Sequence, residues 1–338
     1  MMHKDWKSKS LVILFIIFVL FLQACGQQPQ EKAQVKVVTL PFITFSPFYI
    51  ALEEGYFEDQ GLEVELVNMT VQEEILPALS SGQVDVSSGL LSAGMLNIIA
   101  RGGEVKIAAD KGYVDPEGCI NWAVIGRREL IESGGLDSAE QLEGLTVNIV
   151  PSTWLEFYLS KVLESGGLTL DDIEKTNVSA PANPDALDQA QIDVAVNSEP
   201  WVTRLKKAGH LPVLALPQEI LPDAAAAVMV YGPTLLGENS DVGTRFMTAY
   251  LQAVRQFNEG KTARNIEIVS KFTQLDQELL QEMCWPALRD DGDLNVQSVL
   301  DFQDWAIAAG YVESPVTEED FWDDRFVKAA NQALEQGQ

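Results

Sequence analysis

Short apolar runs alternate with amphipathic segments along most of the chain, which predicts strands alternating with helices. Leu62, Val64 and Leu66 alternate with glutamates, a pattern typical of a strand with one face in water. Residues 35–40 and 105–109 are two further strand-like runs. Strands that alternate with helices indicate mostly parallel sheets covered by helices on both faces. The predicted fold class is therefore α/β.

The same pattern restarts after Trp122. Thr153 and Glu156 have the spacing of a capping box, which predicts a helix that begins there and ends near Ser165. From Gly243 onward the pattern is helical almost to the end of the sequence. We therefore expect two α/β lobes and a helical carboxyl-terminal region.

An internal similarity supports two related lobes. Residues 78–86 (ALSSGQVDV) are echoed by residues 186–194 (ALDQAQIDV), each with the pattern of a helix, a turn and a strand. Chance similarity between two amphipathic units is the alternative. We expect a first lobe of residues 35–121 and 226–338, a second lobe of residues 122–225, and a ligand cleft between them.

The amino-terminal residues predict export. Lys4, Lys7 and Lys9 precede the apolar residues 11–22, which would span about 18 Å as a helix, less than the ~30 Å hydrocarbon core of a bilayer. A basic segment before a short apolar run is typical of a signal peptide, here residues 1–24. LQACG at residues 22–26 resembles the bacterial lipobox, in which Cys25 would receive the lipid. A plain signal peptide with an incidental cysteine is the alternative.

Composition narrows the function. The chain has 23 Lys and Arg against 50 Asp and Glu, a formal net charge of -27, which disfavours binding to nucleic acid. Two histidines and three cysteines are too few for a Cys/His zinc framework. The sequence lacks a phosphate-binding loop, an HExxH helix and a Gly-x-Ser-x-Gly elbow. We therefore expect no metal site, no cofactor and no catalytic residue.

The two remaining cysteines, Cys119 and Cys284, would face an oxidising compartment, in which a disulfide can form. They lie far apart in the sequence, in unrelated elements. We therefore expect two separate buried thiols in preference to one disulfide. Residues 25–34 are polar and without pattern, so we expect a flexible tether.

A family resemblance adds to this picture. Residues 46–64 (SPFYIALEEGYFEDQGLEV) resemble the opening of bacterial solute-binding proteins for nitrate, sulfonates, taurine and thiamine-pyrimidine precursors. Residues 79–86, residues 142–153 and Glu199-Pro200-Trp201 resemble later signatures of that family, in the same order. The resemblance covers roughly residues 35–330. It implies the two-lobed type II periplasmic-binding-protein fold.

The resemblance also implies a function. The chain would capture a small solute outside the cytoplasm and deliver it to the permease and ATPase of an ABC importer. We expect a monomer attached to the membrane through Cys25. A sensory lipoprotein on the same fold is one alternative. An exported enzyme that uses Asp110 and Glu199 as an acid–base pair is another, but the clustered cysteines and reactive histidine of the eukaryotic pyrimidine synthases are absent.

Ligands of open parallel sheets lie beyond the carboxyl ends of the strands, which selects the candidate site residues. In the first lobe these are Phe45, Ser46, Asn68, Ser87, Ser88 and Asp110, and in the second lobe Ser152, Thr153, Trp154, Asn197, Glu199 and Trp201. Ser152 and Thr153 are equally expected to cap a helix. Trp201 is equally expected to pack in the core.

The candidate loops contain no arginine, and Lys111 is their only basic residue. Asp110 and Glu199 suit a nitrogen heteroaromatic ligand, with Trp154 and Trp201 as stacking surfaces. We favour such a ligand, for example a pyrimidine or flavin-type vitamin precursor. A sulfonate or nitrate-type anion is the alternative, and it would depend on backbone N–H groups and helix amino termini.

Overall fold

The computed structural model describes residues 32–69, 72–212 and 217–337. The predicted signal peptide, the lipidation residue Cys25 and most of the predicted tether lie outside these residues. Within the described ranges, no helix is both long and apolar enough to cross a bilayer.

Ten strands form two sheets. The strands are β1 (Ala33–Thr39), β2 (Leu62–Asn68), β3 (Val86–Leu90), β4 (Lys106–Tyr113), β5 (Trp122–Gly126), β6 (Thr146–Asn148), β7 (Glu174–Thr176), β8 (Val194–Ser198), β9 (Leu211–Pro212) and β10 (Ala225–Tyr231). The first sheet has the order β2-β1-β3-β10-β4 and the second the order β7-β6-β8-β5-β9. In each sheet one strand is antiparallel to its neighbours: β10 in the first and β5 in the second.

Helices cover both sheets. They are α1 (Ser46–Glu53), α2 (Tyr56–Asp59), α3 (Gln72–Ser80), α4 (Ala93–Ala100), α5 (Arg128–Glu132), α6 (Trp154–Ser165), α7 (Asn183–Asp188), α8 (Trp201–Lys207), α9 (Pro217–Ile220), α10 (Pro233–Leu236), α11 (Ser240–Asn258), α12 (Ala263–Thr273), α13 (Gln277–Glu282), α14 (Val296–Ala308), α15 (Glu318–Phe321) and α16 (Arg325–Gln336). Short 3-10 turns lie at Ile43–Phe45, Ala139–Leu142, Leu170–Asp172 and Ala180–Ala182. The predicted α/β class and helical carboxyl-terminal region are confirmed.

The internal similarity corresponds to equivalent positions in the two sheets. Each copy runs from a helix into the central strand, β3 or β8. The Asp85 carboxylate accepts a hydrogen bond from the backbone N–H of Lys36 on β1, 2.8 Å away. The Asp193 carboxylate accepts one from the N–H of Thr146 on β6, 3.1 Å away. Each aspartate directly precedes the central strand of its sheet and bonds to the neighbouring strand, so the two aspartates have the same structural role.

Two crossovers join the sheets, one between β4 and β5 and one before β10. Strands of the first sheet come from residues 33–113 and 225–231, and those of the second from residues 122–212. The lobe boundaries follow this assignment of strands and remain a proposal.

The carboxyl-terminal helices contact both lobes. Phe157 of α6 packs edge-on against Phe302 of α14, with ring centroids 5.9 Å apart, and also against Trp305. On the first lobe, Phe246 of α11 stacks on Phe57 at 4.9 Å. The helices after residue 240 therefore brace the second lobe as well as extending the first.

The expectation of two separate thiols is wrong. Cys119 and Cys284 form a disulfide with their Cα atoms 5.7 Å apart. The loop between α13 and α14 returns to the crossover before β5 and brings the two cysteines together. Separation along the chain could not reveal this, because the tertiary fold alone sets the distance between the two segments.

We expect reduction of this disulfide to lower the free energy of unfolding by about 2–5 kcal/mol, because the bond closes a long loop in the unfolded chain. Urea unfolding with and without reductant measures the effect. The Cys119→Ser/Cys284→Ser variant is the control, and its midpoint should not respond to reductant. An unchanged midpoint for the wild type would contradict the prediction.

Candidate ligand-binding site

The first strand of the first lobe leads into a buried polar turn. Ile43–Phe45 forms a 3-10 turn after β1, and α1 begins directly at Ser46, with Pro47 in its first turn. Phe45 and Ser46 are both buried. The Ser46 hydroxyl has no hydrogen-bond partner. A buried hydroxyl is thus available at the amino end of a helix.

The next strands add further polar groups. Ser87 and Ser88 are buried on β3, opposite Val230 and Met229 of β10. The Ser88 hydroxyl lacks a partner. Asn68 differs from these, since it is exposed at the end of the edge strand β2. Ser87 and Ser88 are therefore buried like Ser46, whereas Asn68 is not.

Asp110 is buried on β4 beside the carboxyl-terminal helices. Its Oδ1 accepts a hydrogen bond from Gly112 N at 2.9 Å, whereas its Oδ2 has no hydrogen-bond partner and lies 3.9 Å from Nε of Arg289. Burial raises the pKa of Asp110 to about 7, despite the opposing charge of Arg289. Arg289 compensates only weakly, because its closer ion pair is with Asp223 at 2.6 Å. The Arg289 contact is one that the sequence analysis missed.

In the second lobe, the amino terminus of α6 contacts the first lobe directly. The N–H of Trp154 donates to Leu91 O, and the N–H of Ala93 donates to Ser152 O, both at 2.9 Å. Ser152 has a φ of 55°, and its N–H donates to the Glu156 carboxylate. Thr153 donates its hydroxyl to Val150 O at 2.8 Å. Ser152 and Thr153 thus shape the start of the helix.

Aromatic rings line the same junction. Trp154 is fully buried, stacks on Tyr158 with centroids 5.6 Å apart, and meets Trp122 at 5.1 Å. The indole Nε1 of Trp154 has no hydrogen-bond partner. A fully buried indole N–H usually has one. Trp122, Trp154 and Tyr158 therefore form an aromatic wall, in which the indole N–H of Trp154 has no hydrogen-bond partner.

Asn197 and Glu199, at the end of β8 and just after it, have different surroundings. Asn197 is buried opposite Ala123, and its amide nitrogen has no partner. The Glu199 carboxylate, in contrast, accepts hydrogen bonds from the N–H and hydroxyl of Thr203 and from Cys284 N. Burial raises the pKa of Glu199. Its oxygens accept three hydrogen bonds within the protein and hold α8 and the disulfide loop together.

Trp201 is half-buried on α8, and the Arg204 guanidinium lies 4.6 Å from its ring centroid. Arg204 thus lies against one face of the ring that the sequence analysis offered for stacking. Trp154, by contrast, belongs to the aromatic wall at the junction between the lobes. Trp122, Trp154 and Tyr158 are the rings in contact at this junction, and Trp201 is not among them.

The unpaired buried atoms concentrate at the facing edges of the two sheets. They are Ser46 Oγ, Ser88 Oγ, Asp110 Oδ2, Asn121 Oδ1, Trp154 Nε1 and Asn197 Nδ2. Ser88, Asp110 and Asn197 lie on strands, Ser46 and Trp154 begin helices α1 and α6, and Asn121 lies in the crossover that enters β5. Buried polar atoms are normally hydrogen-bonded, and a missing bond costs about 1–3 kcal/mol. Further unpaired atoms, such as those of His210, lie elsewhere in the second lobe. The cluster at the facing edges supports a ligand site there.

Comparison with known proteins identifies the family. A family model described as NMT1/THI5 like matches residues 43–116 and 127–259, more than half of the chain. The chain belongs to the NMT1/THI5-like family. The match covers the strands of both sheets other than β1 and β5, and it continues through α11.

Relatives of this NMT1/THI5-like chain include binding proteins. The formylaminopyrimidine-binding protein of Halalkalibacterium halodurans is 21% identical over 330 residues, covering 91% of this chain and 96% of the relative. The alkanesulfonate-binding protein SsuA from Xanthomonas axonopodis pv. citri, bound to MOPS, is similar in structure with a TM-score of 0.69, 15% identity, and coverage of 86% and 99%.

The periplasmic nitrate-binding protein NrtA from Synechocystis PCC 6803 has a TM-score of 0.72, 14% identity and coverage of 90% of each chain. The desulfurization enzyme DSZB has a TM-score of 0.65 with 14% identity and coverage of 91% and 100%. These likenesses establish the two-lobed type II periplasmic-binding-protein fold. An enzyme shares that fold, so the fold alone does not decide between binding and catalysis.

We expect Asp110 to make stability depend on pH. Because its pKa is raised from 3.8 to about 7 in the folded protein, its contribution to stability is fully present below pH 3.8 and is lost as the pH rises to 7. The free energy of unfolding of the wild type, minus that of Asp110→Asn, should therefore fall by up to about 4 kcal/mol between these pH values. Urea unfolding at a series of pH values measures it. A difference that stays constant with pH would contradict the raised pKa.

Proposed function

We propose that this chain is the solute-binding component of an ABC importer. The observation that carries the proposal is the set of buried, unpaired polar atoms at the facing edges of two α/β lobes. A small solute that entered between the lobes would satisfy donors and acceptors from both at once, and would thereby stabilise a closed arrangement. Membership of the NMT1/THI5-like family and the relatives named as binding proteins support this role.

For the ligand, we propose a nitrogen heteroaromatic molecule. The wall formed by Trp122, Trp154 and Tyr158 suits a planar ring, since aromatic faces stack favourably. Hydroxyl and amide groups of Ser46, Ser88 and Asn197 suit the alternating donors and acceptors of a pyrimidine. The name of the Halalkalibacterium halodurans relative agrees with this class. The support that Glu199 was expected to give is withdrawn, because its carboxylate is already bonded.

A sulfonate or nitrate-type anion is the second candidate. The observation that favours it is the buried amine of Lys111, whose Nζ donates to Thr44 Oγ1 at 3.1 Å. Structural similarity to SsuA and NrtA agrees with this candidate.

Binding without turnover is part of the proposal. Asp110 and Glu199 were the pair considered for acid–base catalysis. The Glu199 oxygens are held by Thr203 and Cys284, and Asp110 lies beside Arg289. Because the Glu199 carboxylate is already bonded within the protein, we propose that the two carboxylates do not act as the facing acid–base pair that the enzymatic alternative requires.

We expect Ser46→Ala and Ser88→Ala each to weaken ligand binding by about 0.5–1.5 kcal/mol, the net value of an uncharged hydrogen bond. Protein stability should not fall, because neither hydroxyl has a partner in the empty protein. A thermal-shift screen over pyrimidines, flavins, sulfonates and nitrate selects the ligand, and calorimetry measures the affinities.

Ser165→Ala is the matched control for these serine variants. Its hydroxyl donates to Val162 O at the end of α6, away from the strand ends. Its affinity should equal that of the wild type. Unchanged affinity for Ser46→Ala and Ser88→Ala together would mean that the ligand binds elsewhere.

The location is proposed from the sequence. Cys25 follows an apolar run within a lipobox-like segment, so we propose an extracytoplasmic lipoprotein that is held at the membrane as a monomer and meets its permease there. We expect Cys25→Ser to be released from the membrane fraction, whereas Cys119→Ser should stay in it. A Cys25→Ser protein that fractionates with the membrane as the wild type does would contradict the anchor.

A further inference from the structure

Lys111 is an unusual lysine. Its side chain is buried on β4, with only 1% of the residue exposed. Its Nζ donates to Thr44 Oγ1 at 3.1 Å and lies 3.3 Å from the centroid of the Phe45 ring. Of the ion pairs formed within the described residues, none includes Lys111. Fully buried lysines are rare unless they are paired.

The amine lies at the edge of the first lobe that faces the second. Thr44 and Phe45 belong to the turn that precedes α1, next to the unpaired hydroxyl of Ser46. A Cβ added at the neighbouring Gly112 would lie 3.7 Å from the Thr44 methyl carbon and 3.7 Å from the ring of Trp122. The Lys111 amine therefore contacts the β1–α1 turn, and the next residue on β4 lies close to both that turn and Trp122.

Few negative charges lie near the Lys111 amine to stabilise its ammonium form. Burial lowers the pKa of Lys111 well below its usual value. The negative charge of Asp110, the preceding residue on β4, acts in the other direction and raises this pKa. Asp110 is itself buried and lies beside Arg289, and the negative charges of Asp223 and Asp291 raise its pKa. The turn places the Thr44 hydroxyl and the Phe45 ring against the amine, and neither ionises. An ammonium here has no close counterion, and such burial is costly.

We propose that Lys111 binds an anionic oxygen group of the ligand, a carboxylate, sulfonate or phosphate ester carried on the heteroaromatic molecule. The group would accept hydrogen bonds from the Lys111 ammonium and from the Ser46 hydroxyl, and it would supply the missing counterion. Charge-assisted bonds of this kind are the strong ones. This inference rests on the proposed function and narrows its ligand class from heteroaromatics to acids.

The first experiment compares ligands that differ only in charge. The probes are pyrimidine-5-carboxylate against pyrimidine-5-carboxamide, and ethanesulfonate against ethanesulfonamide. Calorimetry on the wild type should show that the acid of a pair binds roughly 10- to 100-fold more tightly, as expected for hydrogen bonds to a charged group. Lys111→Met should lose this preference.

Lys106→Met on the same strand is the matched control. The Lys106 amine donates to Glu319 O, away from the turn and the aromatic wall, so this variant should keep the preference for the acid. Lys111→Met should melt at the same temperature as the wild type or higher, because it removes an uncompensated buried amine.

The second experiment measures proton uptake on binding. Burial lowers the pKa of Lys111, and an anionic group beside the amine should raise that pKa, so binding of an acid should take up a proton. Titrations of the tighter acid at a series of pH values from 6 to about 10, in two buffers with different ionisation enthalpies, measure that uptake. We expect a measurable uptake by the wild type, and none by Lys111→Met.

The outcomes separate this inference from the proposed function. A neutral amide that binds as tightly as its acid, or binding of the acid without proton uptake, overturns the role of Lys111 and leaves the heteroaromatic ligand standing. Sulfonate binding that depends on Lys111, without pyrimidine binding, supports the role of Lys111 and overturns the heteroaromatic ligand. If no probe binds, both proposals fail.

Discussion

Removal of polar groups from water, without a partner in the protein, is the constraint on which this site depends. Ser46, Ser88 and Asn197 place buried hydroxyl and amide atoms at the facing edges of two sheets. Each unpaired atom destabilises the folded state by about 1–3 kcal/mol, so the rest of the molecule must offset several such terms. The large apolar cores of both lobes do so, with residues such as Leu205, Val124 and Phe246 fully buried.

The lobes are joined by contacts of different kinds. The backbone bonds between Leu91 and Trp154 and between Ala93 and Ser152 join them next to the aromatic wall. Phe157 packs against α14, and so the carboxyl-terminal helices support the second lobe. The Cys119–Cys284 disulfide holds a crossover against the loop that contacts Glu199. The crossovers and the carboxyl-terminal segments are therefore tied together on the side of the disulfide.

Charge is distributed unevenly around the proposed site. The chain is strongly acidic, yet the buried charges that face the cleft are few and imperfectly matched. Asp110 has an arginine at 3.9 Å that is engaged elsewhere, and Lys111 has only a hydroxyl and an aromatic face. In a protein whose folding alone determined its sequence, apolar residues would serve better at such positions. Buried groups of this kind are typical of sites at which a ligand supplies the missing partner.

Local and periodic features could be predicted from the sequence. The alternation of strands and helices, the two related halves and the start of α6 after Thr153 follow from residue spacing, because secondary structure depends on neighbours along the chain. Ser46, Ser88, Asp110, Trp154 and Asn197 could be selected because the carboxyl ends of parallel strands share an edge. The environment of each residue could not be predicted in this way. Glu199 is hydrogen-bonded to Thr203 and Cys284, and Arg204 lies against one face of the Trp201 ring.

The sequence by itself thus determined the fold class and the family resemblance, and it selected the residues from which the site is proposed, since these depend on periodicity and on short motifs. Only the tertiary structure decided that Cys119 pairs with Cys284, that Arg289 approaches Asp110, and that Lys111 is buried against Phe45. Those pairings join segments far apart in the chain. Burial and distance between such segments exist only once the carboxyl-terminal helices and both lobes have packed together.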